Sequence, residues 1–157
     1  TERKSKVQSW YLDIGLLAGY YGSGQRVYHH TAPITAIYGL DEGLRQIEKE
    51  GLQARIARHA DAGKILIEGL QTLGFEPLVE EEHRLPMLTS VKLPESVVKR
   101  GEAKVRSALL NDHGIEVGAG LGSLAGKIWR IGLMGENARE ASINRLLSAL
   151  QKELAKN

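Results

Sequence analysis

The chain has 157 residues, of which 42% are hydrophobic and 25% are charged, as in a soluble globular protein of one domain or of parts of two. The net charge of +2, with no run of Lys or Arg, does not indicate a nucleic-acid-binding protein. The absence of cysteine excludes a disulfide framework, a thiolate metal site and a cysteine nucleophile. The longest apolar runs are too short to span a bilayer.

The two ends of the chain show no targeting signal. The N-terminal TERKSKVQSW is polar and lacks the apolar core of a signal peptide, and the C-terminal ELAKN is not a peroxisomal address of the S-K-L type. We therefore expect a cytoplasmic protein. Because the first residue is Thr and not Met, we also expect that the chain has been processed or is part of a longer protein.

The first half of the chain predicts two helices. Residues 1–31 combine glycines and aromatic side chains without a sustained period, and we predict that they are irregular. A helix is predicted from Pro33, because apolar residues then recur three or four positions apart. A second helix is predicted after Gly51, and Gly74 is a natural stop for it. The apolar faces of these helices comprise Ile34, Ile37, Leu40, Leu44 and Ile47, then Leu52, Ile56, Ala60, Gly63, Leu66 or Ile67, Leu70 and Leu73.

The second half predicts a small α+β domain. Strands are predicted at residues 75–79 and 87–93, the second because apolar and polar residues alternate along it. A helix is predicted at residues 94–113, followed by strands at residues 115–117 and 128–134. A last helix is predicted after Asn137, which is a good N-cap with Glu140 as its capping-box partner.

A glycine-rich segment, GAGLGSLAGK at residues 118–127, separates the last two predicted strands. A phosphate-binding loop requires Gly where Leu121 stands and Ser or Thr where Ile128 stands, so that motif is absent. A dinucleotide-binding fingerprint also fails, because the glycine spacing differs and the segment leads into a strand. We favour a flexible connection. The alternative is a loop that passes close to a ligand, since glycine permits close backbone approach.

Two adjacent histidines, His29 and His30, raise the possibility of a metal site. Adjacent side chains point in different directions in a strand or a helix, whereas zinc-binding pairs on a helix are usually four positions apart. No nearby Asp, Glu or Cys supplies obvious further ligands. Metal binding is therefore the less favoured reading.

The residues that follow the histidines indicate a helix start that could hold an anion. Thr31 is a good N-cap, and Pro33 is tolerated in a first helical turn. A helix N-terminus offers free N–H groups to an anion, and the hydroxyl groups of Tyr28 and Thr31 would add donors. The alternative is an ordinary capped helix with Tyr28 packed at its base.

Arg130 stands inside KIWRIGLM, the most apolar predicted strand. Alternation places Trp129, Ile131 and Leu133 on one face of this strand and Arg130 on the other. The planar guanidinium suits a carboxylate that is held by two hydrogen bonds. From the residues alone, binding of a ligand carboxylate and a structural ion pair are equally supported.

Five segments of the sequence carry a resemblance to a known family. In chain order they read WYLDIGLLAGYYG, RVYHHTAP, RLPMLTSV, GIEVGAGLG and GKIWRIGLMGENA. Together they resemble the C-terminal part of the class V, fold-type I aminotransferases that depend on pyridoxal phosphate. Within that class, the alanine–glyoxylate and serine–glyoxylate (serine–pyruvate) group is the most similar. The resemblance covers essentially the whole chain.

The resemblance implies the domain organisation. Residues 51–157 would form the C-terminal small α+β domain, with an antiparallel sheet and helices on one face. Residues 1–50 would be the tail of the large cofactor-binding domain and the start of the connecting helix.

The resemblance also implies roles for individual residues. Tyr28 and Thr31 would reach across a homodimer interface and bind the phosphate of the partner subunit's pyridoxal phosphate. Arg130 would bind the α-carboxylate of a small amino acid or 2-oxo acid, and residues 118–122 would lie near the active site. His29 and His30 would be structural neighbours and not metal ligands. No nucleic-acid or membrane partner is implied.

The decisive departure from the family is that its catalytic lysine has no counterpart in this sequence; the aromatic residue that stacks on the cofactor and the acid that pairs with the pyridine nitrogen are also missing. The lysine that forms the Schiff base with the cofactor would lie upstream of the chain, and Lys4 and Lys6 match the basic segment that follows it. We therefore expect no catalytic residue in this chain. The complete protein would transfer an amino group from alanine or serine to glyoxylate or pyruvate, and we expect the chain alone to be inactive. The alternatives are a naturally short, non-catalytic binding or assembly domain, and another class V enzyme such as a cysteine desulfurase or a phosphoserine aminotransferase.

Overall fold

The computed structural model describes residues 3–156, and the chain divides into two compact units between Gln46 and Ile47. The first unit contains helix α1 (Ile14–Tyr21) and most of helix α2 (Ile34–Glu50). The second contains helix α3 (Leu52–Thr72), three shorter helices and a four-stranded sheet. None of the helices within residues 3–156 is long and apolar enough to cross a membrane.

The prediction that residues 1–31 are irregular is wrong for residues 14–21. The side chain of Asp13 caps helix α1, because its Oδ1 atom accepts hydrogen bonds from the backbone N–H groups of Gly15 (2.9 Å) and Leu16 (3.3 Å). This cap stabilises a short helix whose residues show no amphipathic pattern, so periodicity could not reveal it.

The two long predicted helices are confirmed as α2 and α3. Gly51 lies between them with φ of +86°, a conformation that residues with a Cβ rarely adopt. Helix α3 ends at Thr72, and Gly74 follows with φ of +82°, as expected for a glycine after a helix C-terminus.

The sheet confirms the predicted α+β fold. Its strands are β1 (Glu76–Pro77), β2 (Leu88–Lys92), β3 (Gly118–Ala119) and β4 (Ile128–Gly132). They lie in the order β1-β2-β4-β3, and every neighbouring pair is antiparallel. Strand β4 therefore has a partner on each side.

Three predicted elements differ from the structure. Gly101, with φ of +85°, divides the predicted helix 94–113 into α4 (Glu95–Arg100) and α5 (Glu102–His113). The strand predicted at residues 115–117 begins later, at Gly118, because the N–H of Ile115 donates to Leu109 at the end of α5. The strand predicted at residues 75–79 forms ladder pairs only at β1.

The core of the second unit lies between the sheet and the helices. Helix α6 (Glu140–Leu154), α3 and α5 contribute apolar side chains that pack with the alternate residues of β2 and β4. Burial of this apolar surface is the main source of stability. The core residues include Leu66, Leu70, Phe75, Val91, Val105, Leu109, Trp129, Ile131, Ile143, Leu146 and Leu150.

The segment that follows β4 is fastened to α3 by side chains that sequence patterns did not single out. Arg58 donates hydrogen bonds to the carbonyl oxygens of Gly135 (2.9 Å) and Ala138 (2.7 Å). His59 Nε2 accepts the backbone N–H of Gly135 at 3.0 Å. Glu50 holds Arg58 in turn, through a 2.9 Å bond from Nη2 to Oε2. The contacts with Gly135 and Ala138 join positions 76 to 80 residues apart in the sequence.

The same contacts explain why the predicted N-cap of the last helix is wrong. Asn137 lies in a 3-10 turn, Gly135–Asn137, and α6 begins only at Glu140. The N-cap residue is Arg139, whose side chain makes no capping hydrogen bond. Arg58 holds the carbonyl groups on both sides of Asn137 in this turn, so tertiary hydrogen bonds override the local capping signal.

Glu50 is a strongly perturbed carboxylate in this network. The hydrogen bond from Arg58, followed by the Arg58 charge and the contacts of Arg55, lowers the pKa of Glu50 from 4.5 to about 2, and partial burial opposes this shift. Because the folded-state pKa is lower than the unfolded one, the ionised carboxylate stabilises the folded chain above pH 4.5. This stabilisation is lost as the pH falls from 4.5 toward about 2.

Replacement of this carboxylate should have a pH-dependent effect on stability. We expect Glu50→Gln to lower the free energy of unfolding at pH 7. The loss should become progressively smaller as the pH falls below 4.5, because the wild-type carboxylate is then increasingly protonated. Urea denaturation between pH 7 and about pH 2.5 would measure this free energy.

The matched control is Glu48→Gln, because Glu48 is exposed on the same helix and has no ion pair within residues 3–156. It should leave the free energy of unfolding nearly unchanged at every pH. A difference between wild type and Glu50→Gln that stays constant down to the lowest pH would contradict the role given to Glu50.

Candidate functional site

The first candidate site is a pair of hydroxyl groups in the first unit. The Tyr28 hydroxyl and Thr31 Oγ1 lie 3.0 Å apart, and both residues are exposed. Helix α2 begins at Ile34, and the carbonyl of Pro33 accepts the N–H of Ile37 at 3.0 Å. The prediction that Thr31 caps this helix is therefore wrong, because its hydroxyl is paired with Tyr28 and the helix starts three residues later.

Each hydroxyl carries one proton, and one of the two protons is used in the Tyr28–Thr31 hydrogen bond. The pair therefore offers both O–H donors to an anion only when that bond is exchanged for bonds to the anion. Tyr28 is 68% exposed, so its hydroxyl can reach a bound group. The first turn of α2 contains no acidic residue that would repel an anion. Arg26 lies nearby in sequence, with its guanidinium 4.6 Å from the centre of the Tyr20 ring. The residues present therefore fit a phosphate group.

The adjacent histidines are engaged within the protein. His29 is 5% exposed and stacks on Trp10, with ring centres 3.9 Å apart. Its Nε2 lies 3.0 Å from the carbonyl oxygen of Trp10, which can only accept, so this nitrogen carries the proton. Its Nδ1 lies 2.6 Å from Nδ1 of His30. Both ring nitrogens of His29 are thus occupied by hydrogen bonds.

No candidate metal site was found in the part of the chain that the structure describes. Residues 3–156 contain no group of three or more His, Asp or Glu side chains that could hold a metal ion together.

The second candidate site is Arg130, in the middle of β4. Trp129 and Ile131 on either side of it are buried in the core, whereas Arg130 is half-buried on the opposite face. Its neighbours across the sheet are Ser90 of β2 and Gly118 of β3. Because both neighbours are small, the guanidinium group is not covered by large side chains from the adjacent strands.

The hydrogen bonding of Arg130 leaves most of its guanidinium available. Nε donates to the carbonyl oxygen of Ala119 at 2.9 Å. Within residues 3–156, Arg130 forms no ion pair with an Asp or Glu, and its terminal nitrogens have no hydrogen-bond partner. Of the two readings that the sequence left open, the structural ion pair is therefore not found in the described part of the chain.

The opposite face of β4 is fixed by a partly buried network. The indole N–H of Trp129 donates to Oε2 of Glu102 at 3.0 Å, and Nε of Arg106 donates to the same oxygen at 2.8 Å. The bond from Arg106, followed by that from Trp129, lowers the pKa of Glu102 below its ordinary value, against partial burial. Glu102 thus stays ionised and anchors the strand that carries Arg130.

The structure therefore brings Tyr28 and Thr31 together in the first unit and places Arg130 in the second. It also brings part of the glycine-rich segment against Arg130, through Gly118 and Ala119. This contact is compatible with the less favoured interpretation of that segment, because it places the segment beside a candidate ligand-binding residue. No sequence pattern indicated Glu102 and Arg106, which lie 27 and 23 positions from Trp129.

Comparisons with known proteins agree with the resemblance inferred from the motifs. No protein-family model matches the chain. The alanine–glyoxylate aminotransferase of Drosophila melanogaster is 37% identical over 156 residues, which cover 98% of this chain and 39% of that protein. The (S)-ureidoglycine–glyoxylate transaminase of Bacillus subtilis is 36% identical over 151 residues, which cover 96% of this chain and 35% of that protein.

A solved structure extends this agreement to the fold. The crystal structure of an alanine–glyoxylate aminotransferase from Nostoc sp. superimposes with a TM-score of 0.87 and 51% sequence identity. The match covers 98% of this chain and 40% of that protein. The chain thus spans about two fifths of the length of these relatives. Over almost its whole length, it is similar in sequence and fold to the C-terminal part of the class V aminotransferases of the alanine–glyoxylate group, as the motifs indicated.

Proposed function

We propose that this chain is the C-terminal part of a pyridoxal-phosphate-dependent aminotransferase that transfers the amino group of alanine or serine to glyoxylate or pyruvate. The observation that carries the proposal is the Arg130 guanidinium, which is half-buried and has no acidic partner within residues 3–156. An arginine in such a place is costly to leave unpaired, and a substrate carboxylate would pair with it. Glyoxylate, which both relatives name, is a carboxylate of this kind.

In this proposal Arg130 binds and orients the substrate. Because Nε is held by Ala119, the two terminal nitrogens remain to donate two parallel hydrogen bonds to the α-carboxylate. This bidentate contact would fix the direction in which the α-carbon is presented. The α-carboxylate is common to alanine, serine, glyoxylate and pyruvate, so Arg130 would serve both the donor and the acceptor and would not select among them.

Tyr28 and Thr31 would hold the cofactor by its phosphate. The two hydroxyl groups would donate to the phosphate oxygens of a cofactor in the partner subunit of a homodimer, and their exposure is consistent with such a contact. When bound, pyridoxal phosphate supplies an electron sink for the α-carbon of the substrate. The residues of this chain would bind and position, while the Schiff-base lysine would lie in the rest of the protein, so the 157 residues alone would be inactive.

The proposed domain division follows from the same resemblance. Residues 1–50 would be the tail of the large domain and the start of the connecting helix, and residues 51–157 the small domain. The protein would act in the cytoplasm. The amino donor is open between alanine and serine, because both carry the α-carboxylate that Arg130 would bind. The donors that the two relatives name are alanine and (S)-ureidoglycine.

Removal of the Arg130 guanidinium should weaken substrate binding. In the full-length enzyme, we expect Arg130→Ala to raise KM for alanine. The rise should correspond to a loss of about 2–4 kcal/mol of binding free energy, because the lost pair is charge-assisted, and the effect on kcat should be smaller. Steady-state kinetics would measure both constants.

Lys127→Ala is the matched control, since Lys127 is an exposed cation three residues away and should not alter KM. An unchanged KM in Arg130→Ala, or an equal rise in both variants, would contradict carboxylate binding by Arg130.

Removal of the Tyr28 hydroxyl should weaken cofactor retention. We expect Tyr28→Phe to raise the dissociation constant of pyridoxal phosphate about tenfold, as for the loss of one hydrogen bond to a charged group. The constant can be measured from cofactor absorbance after equilibrium dialysis of the full-length enzyme.

Tyr38→Phe removes a hydroxyl from another exposed tyrosine on the following helix and serves as the control. Retention of wild-type affinity by Tyr28→Phe would show that this hydroxyl does not bind the phosphate.

A further inference from the structure

The orientation of Arg130 depends on a very short strand. Strand β3 consists of Gly118 and Ala119 alone, and these pair with Arg130 and Trp129 of β4. The Ala119 carbonyl accepts the hydrogen bond from Nε of Arg130 at 2.9 Å. Among the described residues, this is the one hydrogen bond that the guanidinium makes, so the position of that carbonyl sets the plane of the guanidinium.

The backbone turns back on itself directly after β3. The N–H of Gly120 donates to the carbonyl of Ile128 at 3.0 Å, which extends the ladder by one bond. The N–H of Lys127 donates to the carbonyl of Leu124 at 3.1 Å. Residues 120–127 therefore form a closed turn whose two ends are held together beside Arg130.

Gly120 is the tightest point of this turn. A Cβ atom at this position would overlap the carbonyl oxygen of Leu124, and it would lie 2.7 Å from the Leu124 carbonyl carbon and 2.9 Å from Cγ1 of Ile128. Two of these three obstacles are backbone atoms, which cannot rotate away as a side chain can. No residue other than glycine fits here without displacing the turn.

The other glycines of the segment are less constrained. Gly122 has φ of +56° but has nothing within 4 Å of its Cβ position. At Gly118, a Cβ would lie 3.5 Å from Nη2 of Arg130 and 3.3 Å from its carbonyl oxygen, which is close but not an overlap. The close-packing requirement is thus specific to Gly120, the residue that follows the Ala119 carbonyl.

We infer that Gly120 is a positioning residue for Arg130. Because Gly120 allows the turn to close, the Ala119 carbonyl lies where it can accept the hydrogen bond from Nε of Arg130. This bond fixes the orientation of the guanidinium for binding a substrate carboxylate. Since this role presupposes that Arg130 binds that carboxylate, it rests on the proposed function. A side chain at position 120 would push Ala119 away from Arg130. The guanidinium would then keep its charge but lose its fixed orientation.

The test compares a carboxylate substrate with an analogue that lacks the carboxylate. In the full-length enzyme, Gly120→Ala should raise KM for alanine about tenfold, the effect of one weakened charge-assisted contact, with kcat nearly unchanged. The inhibition constant of alaninamide, in which a neutral amide replaces the carboxylate, should not change. Gly122→Asn is the matched control in the same turn, because Asn tolerates the left-handed conformation, and it should behave as wild type.

Further variants make each outcome decisive. If Gly120→Ala does not fold, as judged by its thermal unfolding, Gly118→Ala replaces it. Its Cβ would lie 3.3 Å from the Arg130 carbonyl oxygen, so it should shift β3 and the Ala119 carbonyl slightly and raise KM for alanine about threefold. An unchanged KM for alanine, or an equal loss of alaninamide binding, would overturn the positioning role. If Arg130→Ala also leaves KM unchanged, the proposed function fails as well; if Arg130→Ala raises KM, only the role of Gly120 fails.

Discussion

The pairing of β4 with a strand on each side is the constraint on which the second unit depends. Five residues of β4 pair with β2 and two pair with β3. This register directs Trp129 and Ile131 into the core and Arg130 to the opposite face. The same strand thus carries the largest fully buried side chain and the candidate substrate-binding residue, so core packing and the site cannot vary independently.

The surroundings of Arg130 leave its terminal nitrogens available. A backbone carbonyl holds Nε without neutralising the charge, and small residues flank the side chain on both neighbouring strands. A carboxylate in place of the carbonyl would have formed a structural ion pair and occupied the guanidinium. The arrangement therefore fixes an orientation while keeping two donors for an external anion.

Sequence periodicity predicted the parts of this structure that depend on local and amphipathic patterns. The helices α2 and α3, the α+β fold and the face on which Arg130 lies all follow from the spacing of apolar residues. The failures occur where a tertiary contact outweighs a local signal. Asn137 is a good N-cap by type, but Arg58 holds its neighbours in a turn, and Thr31 bonds with Tyr28 away from the helix. The side-chain cap at Asp13 stabilises a helix that periodicity could not indicate.

The roles of Tyr28, Thr31 and Arg130 came from the family resemblance, since spacing alone left alternatives open for each. The central claim is that Arg130 binds a substrate carboxylate, and the most direct measurement is a crystal structure of the complete protein with 2-methylalanine, an amino acid without a proton on its α-carbon. We predict that both terminal nitrogens of Arg130 lie about 3 Å from the two carboxylate oxygens. The claim would be contradicted if an Asp or Glu from another part of the protein paired with Arg130 and the ligand carboxylate lay elsewhere.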